Sequence, residues 1–298
     1  MPPPAEHFAA PPGWEWWILG YFFFAGLAGG TYAIGTLMRF AGTPADRRVA
    51  RLAFIVSFLA LLPCPIFLIL DLGQPLRFLN MLIDMSNGGL AFKPESPMSV
   101  GAWGLLFFGL FSFVSFLGAL AEMGTLRALE PLMRFFRGTV ETVWNIVGTA
   151  LGFFISGYTG VLLAVSNQPV WSDGWPLGGV FLASSLTGAV ALLLLLARSR
   201  RDVDAGTAVR LEVADRNFAI LEAVLIAVFL ITVAIAGTIG KVLGVWLLLW
   251  LVVAVGLAAP FVLSRVEAAR RWPPVMAPIL GLLGLLALRA VVIFSAQT

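Results

Sequence analysis

The side chains of this sequence that could do chemistry are few, and most sit inside long apolar runs. Tyr21, Tyr158 and Arg289 lie within such runs, Asp71 closes one, and Arg77 follows six residues later. A second group comprises Glu141, Asn145 and Glu222, with Glu122 at the end of another run. An ionisable group at the centre of a membrane helix costs at least about 2.5 to 3.5 kcal/mol on insertion scales, so each needs a partner, a cavity or a place near the interface. At helical rise, Tyr21, Arg289 and Tyr158 fall roughly 8, 9 and 10 Å from one end of their runs, and Glu222 falls roughly 8 Å from the opposite end. Two layers result. The first offers phenol donors, a carboxylate and a fixed positive charge. A quinone head group needs such partners: donors to its two carbonyl oxygens and a carboxylate or water to pass protons. The second layer offers buried carboxyls able to carry protons. Structural readings stand beside these: an Asp71–Arg77 ion pair fixing a helix end, Tyr21 as an interface anchor, and Glu141 and Glu222 snorkelling or paired with arginines such as Arg216 or Arg137.

Other chemistries lack their residues. The one histidine, His7, precedes the first apolar run, which excludes a haem held by two histidines within the membrane. The one cysteine, Cys64, excludes an intrachain disulfide, a CxxC redox pair, a cysteine-ligated zinc site and an iron–sulfur cluster held by this chain alone. Cys64 reads as a small packing residue. The stretch from Gly237 to Lys241 lacks the full phosphate-loop spacing.

The elements that must position these groups are transmembrane helices. The 298 residues are 60% hydrophobic and 12% charged, with mean hydropathy +0.95, far from the charge content of a soluble domain. Stretches long enough to span the hydrocarbon core occur at 16–40, 52–70, 98–121, 142–165, 176–197, 217–239, 242–263 and 273–295. The expectation is an all-α polytopic protein of eight spans in a single membrane domain, arranged as two four-helix bundles. The opening segment has no basic region or small-residue cleavage site, so the first span reads as retained. Of the nineteen basic residues, fifteen (Arg39, Arg47, Arg48, Arg51, Arg127, Arg134, Arg137, Arg198, Arg200, Arg201, Arg210, Arg216, Arg265, Arg270 and Arg271) fall at alternate span ends. That face is expected to be cytoplasmic, which places both termini outside an inner membrane. The pI near 9.5 is therefore a topology signal, with no case for nucleic acid. Trp14, Trp16, Trp17, Trp103, Trp171 and Trp175 then mark the outer interface. Two outer loops, 71–97 and the segment around Trp171 and Trp175, form an expected docking patch, the first with a short interfacial helix near Phe78 to Leu82. Gly26 with Gly30 and Gly148 with Gly152 are small-residue pairs for close helix packing. Pro63 and Pro65 predict a kink in the second span.

Several segments, taken together and in order, resemble the NrfD-like family of polysulfide reductase membrane subunits. They are the Trp-rich entry with YFFFAGLAGG, then DLGQPLRF, SPMSVGAWGL, GYTGVLLAVSNQPVW with PLGGVFLASS, DRNFAILE and LGLLALRAVVIFSAQT. The resemblance implies a haem-free subunit that exchanges electrons between membrane quinol, menaquinone or ubiquinone, and an extrinsic four-cluster ferredoxin-like iron–sulfur subunit on the outer face. A molybdopterin catalytic subunit would hold the terminal chemistry. By motif, Tyr158 in GYTG becomes the candidate for hydrogen bonding to the quinone, with Asp71 and Arg77 near the cluster-facing mouth. Some members use a histidine or another strongly polar residue on the first span, where this sequence offers Tyr21, Thr31 and Tyr32. Coupling to proton translocation would draw on Glu141, Asn145 and Glu222. The alternatives are an eight-span solute or ion transporter, motivated by the Pro63–Cys64–Pro65 break and the two carboxylate layers, and a passive assembly scaffold.

Overall fold

The computed structural model describes residues 12–84, 88–131, 138–200, 203–265, 273 and 275–297. His7, Arg134, Arg137, Arg201, Arg270 and Arg271 lie outside these, as does the side chain of Arg265. The helices are α1 (Trp16–Phe40), α2 (Arg47–Leu61), α3 (Pro63–Asp71), α4 (Pro97–Glu122), α5 (Thr139–Ala164), α6 (Leu177–Arg198), α7 (Ala205–Ile235), α8 (Ile239–Leu243), α9 (Leu247–Arg265) and α10 (Met276–Ser295). Among the described residues, seven helical segments are long and apolar enough to cross a membrane, α2 and α3 counting as one. The shorter apolar helix Leu247–Val262 stands where the sequence predicts the seventh span. The protein is an all-α, multi-pass membrane protein.

Local signals account for the boundaries. Ser96 caps α4 by accepting from Ser99 N at 3.4 Å, with Pro97 in the first turn, where its missing N–H is no loss. Asp204 caps α7 in the same way at 3.2 Å from Thr207 N. The α7 helix has 31 residues, roughly 46 Å at helical rise, so it extends well beyond the stretch predicted from 217. Pro63 divides α2 from α3 after Leu62, as its lost donor requires. The loop between α3 and α4 holds a 3₁₀ helix, Pro75–Met81. It also holds a two-stranded antiparallel ribbon, Ile83–Asp84 with Gly89–Leu90, which the sequence reading did not anticipate.

Packing divides the membrane-crossing segments into two groups of four, α2 and α3 again counting as one. In the first, α1 lies on α2, α3 and α5, and α4 lies on α2 and α5. In the second, α6 lies on α7 and α10, while α9 lies on α10 and α7. The groups meet where α6 packs on α1 and α5. The apolar windows of α1 and α6 are 83% and 78% buried, which makes these two helices the shared centre. Glycine permits that closeness. A Cβ at Gly30 would strike the Ser185 carbonyl of α6, and one at Gly29 would strike the Gly152 carbonyl of α5. At Gly148 the space is filled by the Tyr32 ring.

Candidate functional site

At the tryptophan-rich end, α5 carries Tyr158 against α4. Gly101 makes room for the phenol, since a Cβ there would overlap its ring. The Tyr158 hydroxyl donates to the Pro97 carbonyl at 2.6 Å, and the ring stacks on Phe154 at 5.4 Å. Tyr21, on α1, is only 3% exposed and packs edge-on against Phe22, so it is a core residue and not an interface anchor. It lies within electrostatic range of Tyr158 and Cys64. Its hydroxyl makes no hydrogen bond among the described residues. Cys64 is fully buried, its thiol 4.0 Å from the Tyr21 carbonyl.

Asp71 is half-buried at the end of α3, within electrostatic range of Glu15 at the start of α1. Arg77 is exposed on the 3₁₀ helix, and among the described residues no ion pair joins it to Asp71. The structure therefore brings Tyr21, Tyr158 and Cys64 together, sets Asp71 near Glu15 above them, and leaves Arg77 apart. The two loop tryptophans also divide. Trp175 is 73% exposed, whereas Trp171 is fully buried, donates its indole N–H to the Val292 carbonyl at 2.6 Å and stacks on Trp14. Trp171 pins the loop to α10; it is not an interfacial anchor.

Arg289 occupies a different place from the one its depth suggested. It is fully buried where α10 meets α1 and α6. Its Nε donates to the Phe22 carbonyl at 3.0 Å, one Nη to Ser184 Oγ at 2.9 Å, and the other to Ser185 Oγ at 2.8 Å and the Phe181 carbonyl at 3.4 Å. Its guanidinium also sits 5.0 Å from the centroid of the Phe181 ring. Gly26 leaves the space it fills. These contacts answer the insertion problem with neutral acceptors and join three helices.

The carboxyl layer toward the arginine-rich end also divides between the two groups. In the first, Arg39 in the last turn of α1 forms ion pairs with both Glu122 of α4 and Glu141 of α5. Beside them Asn145 is buried, its Oδ1 3.5 Å from the Tyr32 hydroxyl, which is 2.8 Å from Ser115 Oγ. In the second, the inward stripe of α7 runs Thr207, Leu211, Asp215, Ala219, Glu222, Ile226, Phe229 and Val233, a spacing of three and four that interrupts an apolar seam with two carboxylates. Glu222 hydrogen-bonds Thr187 of α6 and lies in electrostatic range of Asp215 and Arg289. Asp215 Oδ1 is buried with no hydrogen-bond partner among the described residues. Sequence reasoning missed Asp215, although its place seven residues before Glu222 on one helix was a usable signal. It counted Arg39 only toward topology, and the serines that hold Arg289 gave no signal of their own.

A profile of the NrfD family, described as polysulphide reductase, matches residues 7–298. The chain belongs to the NrfD family. Among its curated relatives, a selenate reductase subunit from Mesobacillus selenatarsenatis is 23% identical over 219 residues, covering 61% of this chain and 47% of that protein. The match thus spans about half the length of that relative. On this NrfD-family chain, Tyr158 commits its proton to Pro97 and keeps its lone pairs as acceptors, while Tyr21 is a buried phenol close by.

Proposed function

We propose that this chain is the quinone-reactive membrane subunit of a multi-subunit oxidoreductase, exchanging electrons between menaquinone or ubiquinone and an extrinsic iron–sulfur subunit at the tryptophan-rich face. Tyr21 and Tyr158, two buried phenols of complementary hydrogen-bonding capacity beneath Asp71 and Glu15, carry this reading. When bound, the quinone supplies two-electron, two-proton chemistry. The chain's residues bind and orient it. Tyr21 donates to a carbonyl oxygen, Tyr158 accepts from a hydroxyl, and Asp71 and Glu15 flank the mouth.

The partner is a four-cluster ferredoxin-like subunit, with a molybdopterin subunit holding the terminal reaction. Exposed Leu76, Leu90, Phe92 and Trp175 offer the tryptophan-rich face an apolar surface for docking. By the charge asymmetry of the sequence this face, with both termini, is outside the inner membrane. Protons of the reaction use the carboxyl layer, Glu222 with Asp215 in one half and Glu141 with Asn145 in the other.

Purification of the intact complex in mild detergent, with metal analysis and quinone extraction, tests the reading. The expected result is co-purifying iron–sulfur and molybdopterin subunits, bound quinone, and a fall of at least about tenfold in quinol-linked turnover in Tyr21→Phe, as loss of one placed donor commonly gives. An active single polypeptide without quinone or iron–sulfur partners would overturn it.

A further inference from the structure

One face of α5 runs the length of the helix in polar and small residues: Glu141, Asn145, Thr149, Gly152, Ser156 and Thr159, at steps of three and four. The small members of this face serve close helix packing, whereas Glu141 and Asn145 are neither small nor apolar. Here the neighbours answer in kind. Tyr32 of α1 meets Ser115 of α4, and Ser57 of α2 lies 3.2 Å from Ser112 of α4.

Two further observations point to water. A cavity of about 60 Å³ is lined by Arg39, Ser115, Glu122, Glu141 and Asn145, and it shares Arg39, Glu122 and Glu141 with a wide vestibule of about 750 Å³ among Arg47, Arg48, Arg51 and Arg127. The smaller space has room for about four waters at roughly 15 Å³ each, with Arg39, Ser115, Glu122, Glu141 and Asn145 as polar groups beside a mostly apolar lining. Independently, the hydroxyls of Thr36, Thr149 and Ser156 are buried without a hydrogen-bond partner among the described residues. Thr36 is only 7% exposed and Ser156 is fully buried. Buried hydroxyls are almost always satisfied, by protein or by water.

We infer that the first four-helix group contains a hydrated inlet, running from the arginine-rich face past Arg39 to Tyr32, that carries the protons exchanged at the quinone. This rests on the quinone reading above and adds the route. The reaction balances as quinone plus two electrons plus two protons giving quinol, or its reverse. Electrons pass through the extrinsic iron–sulfur subunit at one face, and protons enter or leave at the other. Arg39 stands at the throat, ion-paired with Glu122 and Glu141 at once, where cavity and vestibule share it. Beyond Tyr32 the unpartnered Thr149 and Ser156 hydroxyls mark single water positions toward Tyr158.

The test is sided thiol labelling of the intact complex in oriented vesicles, in a Cys64→Ser background, with 2-sulfonatoethyl methanethiosulfonate as probe. Ser115→Cys and Asn145→Cys are expected to label from the arginine-rich face at least tenfold faster than Ile155→Cys, a buried control. Labelling no faster than that control from this face overturns the inlet. Proton uptake at that face is then measured with a pH dye during quinone-linked turnover. Asn145→Leu is expected to slow it severalfold, and rescue by Asn145→Asp separates a transfer role from a folding defect. Uptake unchanged in Asn145→Leu overturns the proton role. Absence of bound quinone in the wild type would instead remove the quinone reading while leaving the labelling result standing.

Discussion

Arg39 and Arg289 meet the same difficulty, a guanidinium at a position where lipid surrounds the protein, in opposite ways. Arg289 is fully buried and is held by two carbonyls and two serine hydroxyls from α1 and α6. Arg39 keeps 17% of its side chain exposed, pairs with Glu122 and Glu141, and lines both a cavity and the vestibule beside it. Neutral acceptors around a buried cation fix one arrangement, because each guanidinium nitrogen is engaged and the side chain is shut off from the surface. Two carboxylates around a partly exposed cation also join three helices, but through charges that water from the vestibule can screen. The first arginine is a dry joint, and the second a wet one.

The largest expected effect comes from removing the joint. In Arg289→Leu, Ser184, Ser185 and the Phe22 carbonyl lose their donor in a fully buried core, and the loss is expected to be on the order of 3 to 5 kcal/mol, at about 1 to 3 kcal/mol for each buried polar group left unsatisfied. Thermal unfolding in detergent should show it, with Arg289→Lys intermediate, since an ammonium cannot reach four acceptors on two neighbouring helices at once. A midpoint within a degree of wild type in the leucine variant would break the comparison at its root.

Gly26→Ala comes next. Its new Cβ would press on the guanidinium and on Ser185, costing about 1 to 3 kcal/mol through overpacking. In an Arg289→Leu background the same substitution should cost less, because the clash partner is gone. Additive midpoints in the double variant would show that Gly26 does not act through Arg289.

These positions also show what was legible in the sequence. Hydropathy was enough for the all-α membrane class and most span positions, because in lipid the helix must satisfy its own backbone and its length is set by the bilayer. The kink at Pro63 and the close glycine contacts were readable for the same local reasons. What could not be read was which partner each polar group takes. The depth of Arg289 matched that of Tyr158, yet rotation about α10 turns the arginine toward α6. Trp171 looked like its neighbour Trp175, but its burial depends on where Val292 and Trp14 arrive from distant parts of the chain. Asp71 and Arg77 are close in sequence, and the 3₁₀ helix separates them.

Arg39→Leu is expected to cost less than either change in the joint. It leaves two carboxylates facing each other, but the vestibule brings water to them, so the penalty should be about 1 kcal/mol. Unfolding at raised salt should narrow the difference from wild type, as screening weakens a repulsion that solvent can reach. The same salt series applied to Arg289→Leu should leave its deficit unchanged.

The smallest effect is the most discriminating. Glu141→Gln removes one of two carboxylates on Arg39 while keeping a side-chain oxygen that can still accept, and Glu122 remains to neutralise the guanidinium. With Glu122 still paired to Arg39 and water at hand, the unfolding free energy should fall by less than about 0.5 kcal/mol, the range of ordinary surface substitutions. If Arg39 were instead a second dry joint, the loss would approach that of Arg39→Leu, because no water would stand in for the lost charge. Near-neutral stability in Glu141→Gln, combined with altered proton uptake in the intact complex, is the pair of results expected if Glu141 serves proton transfer more than it serves the fold.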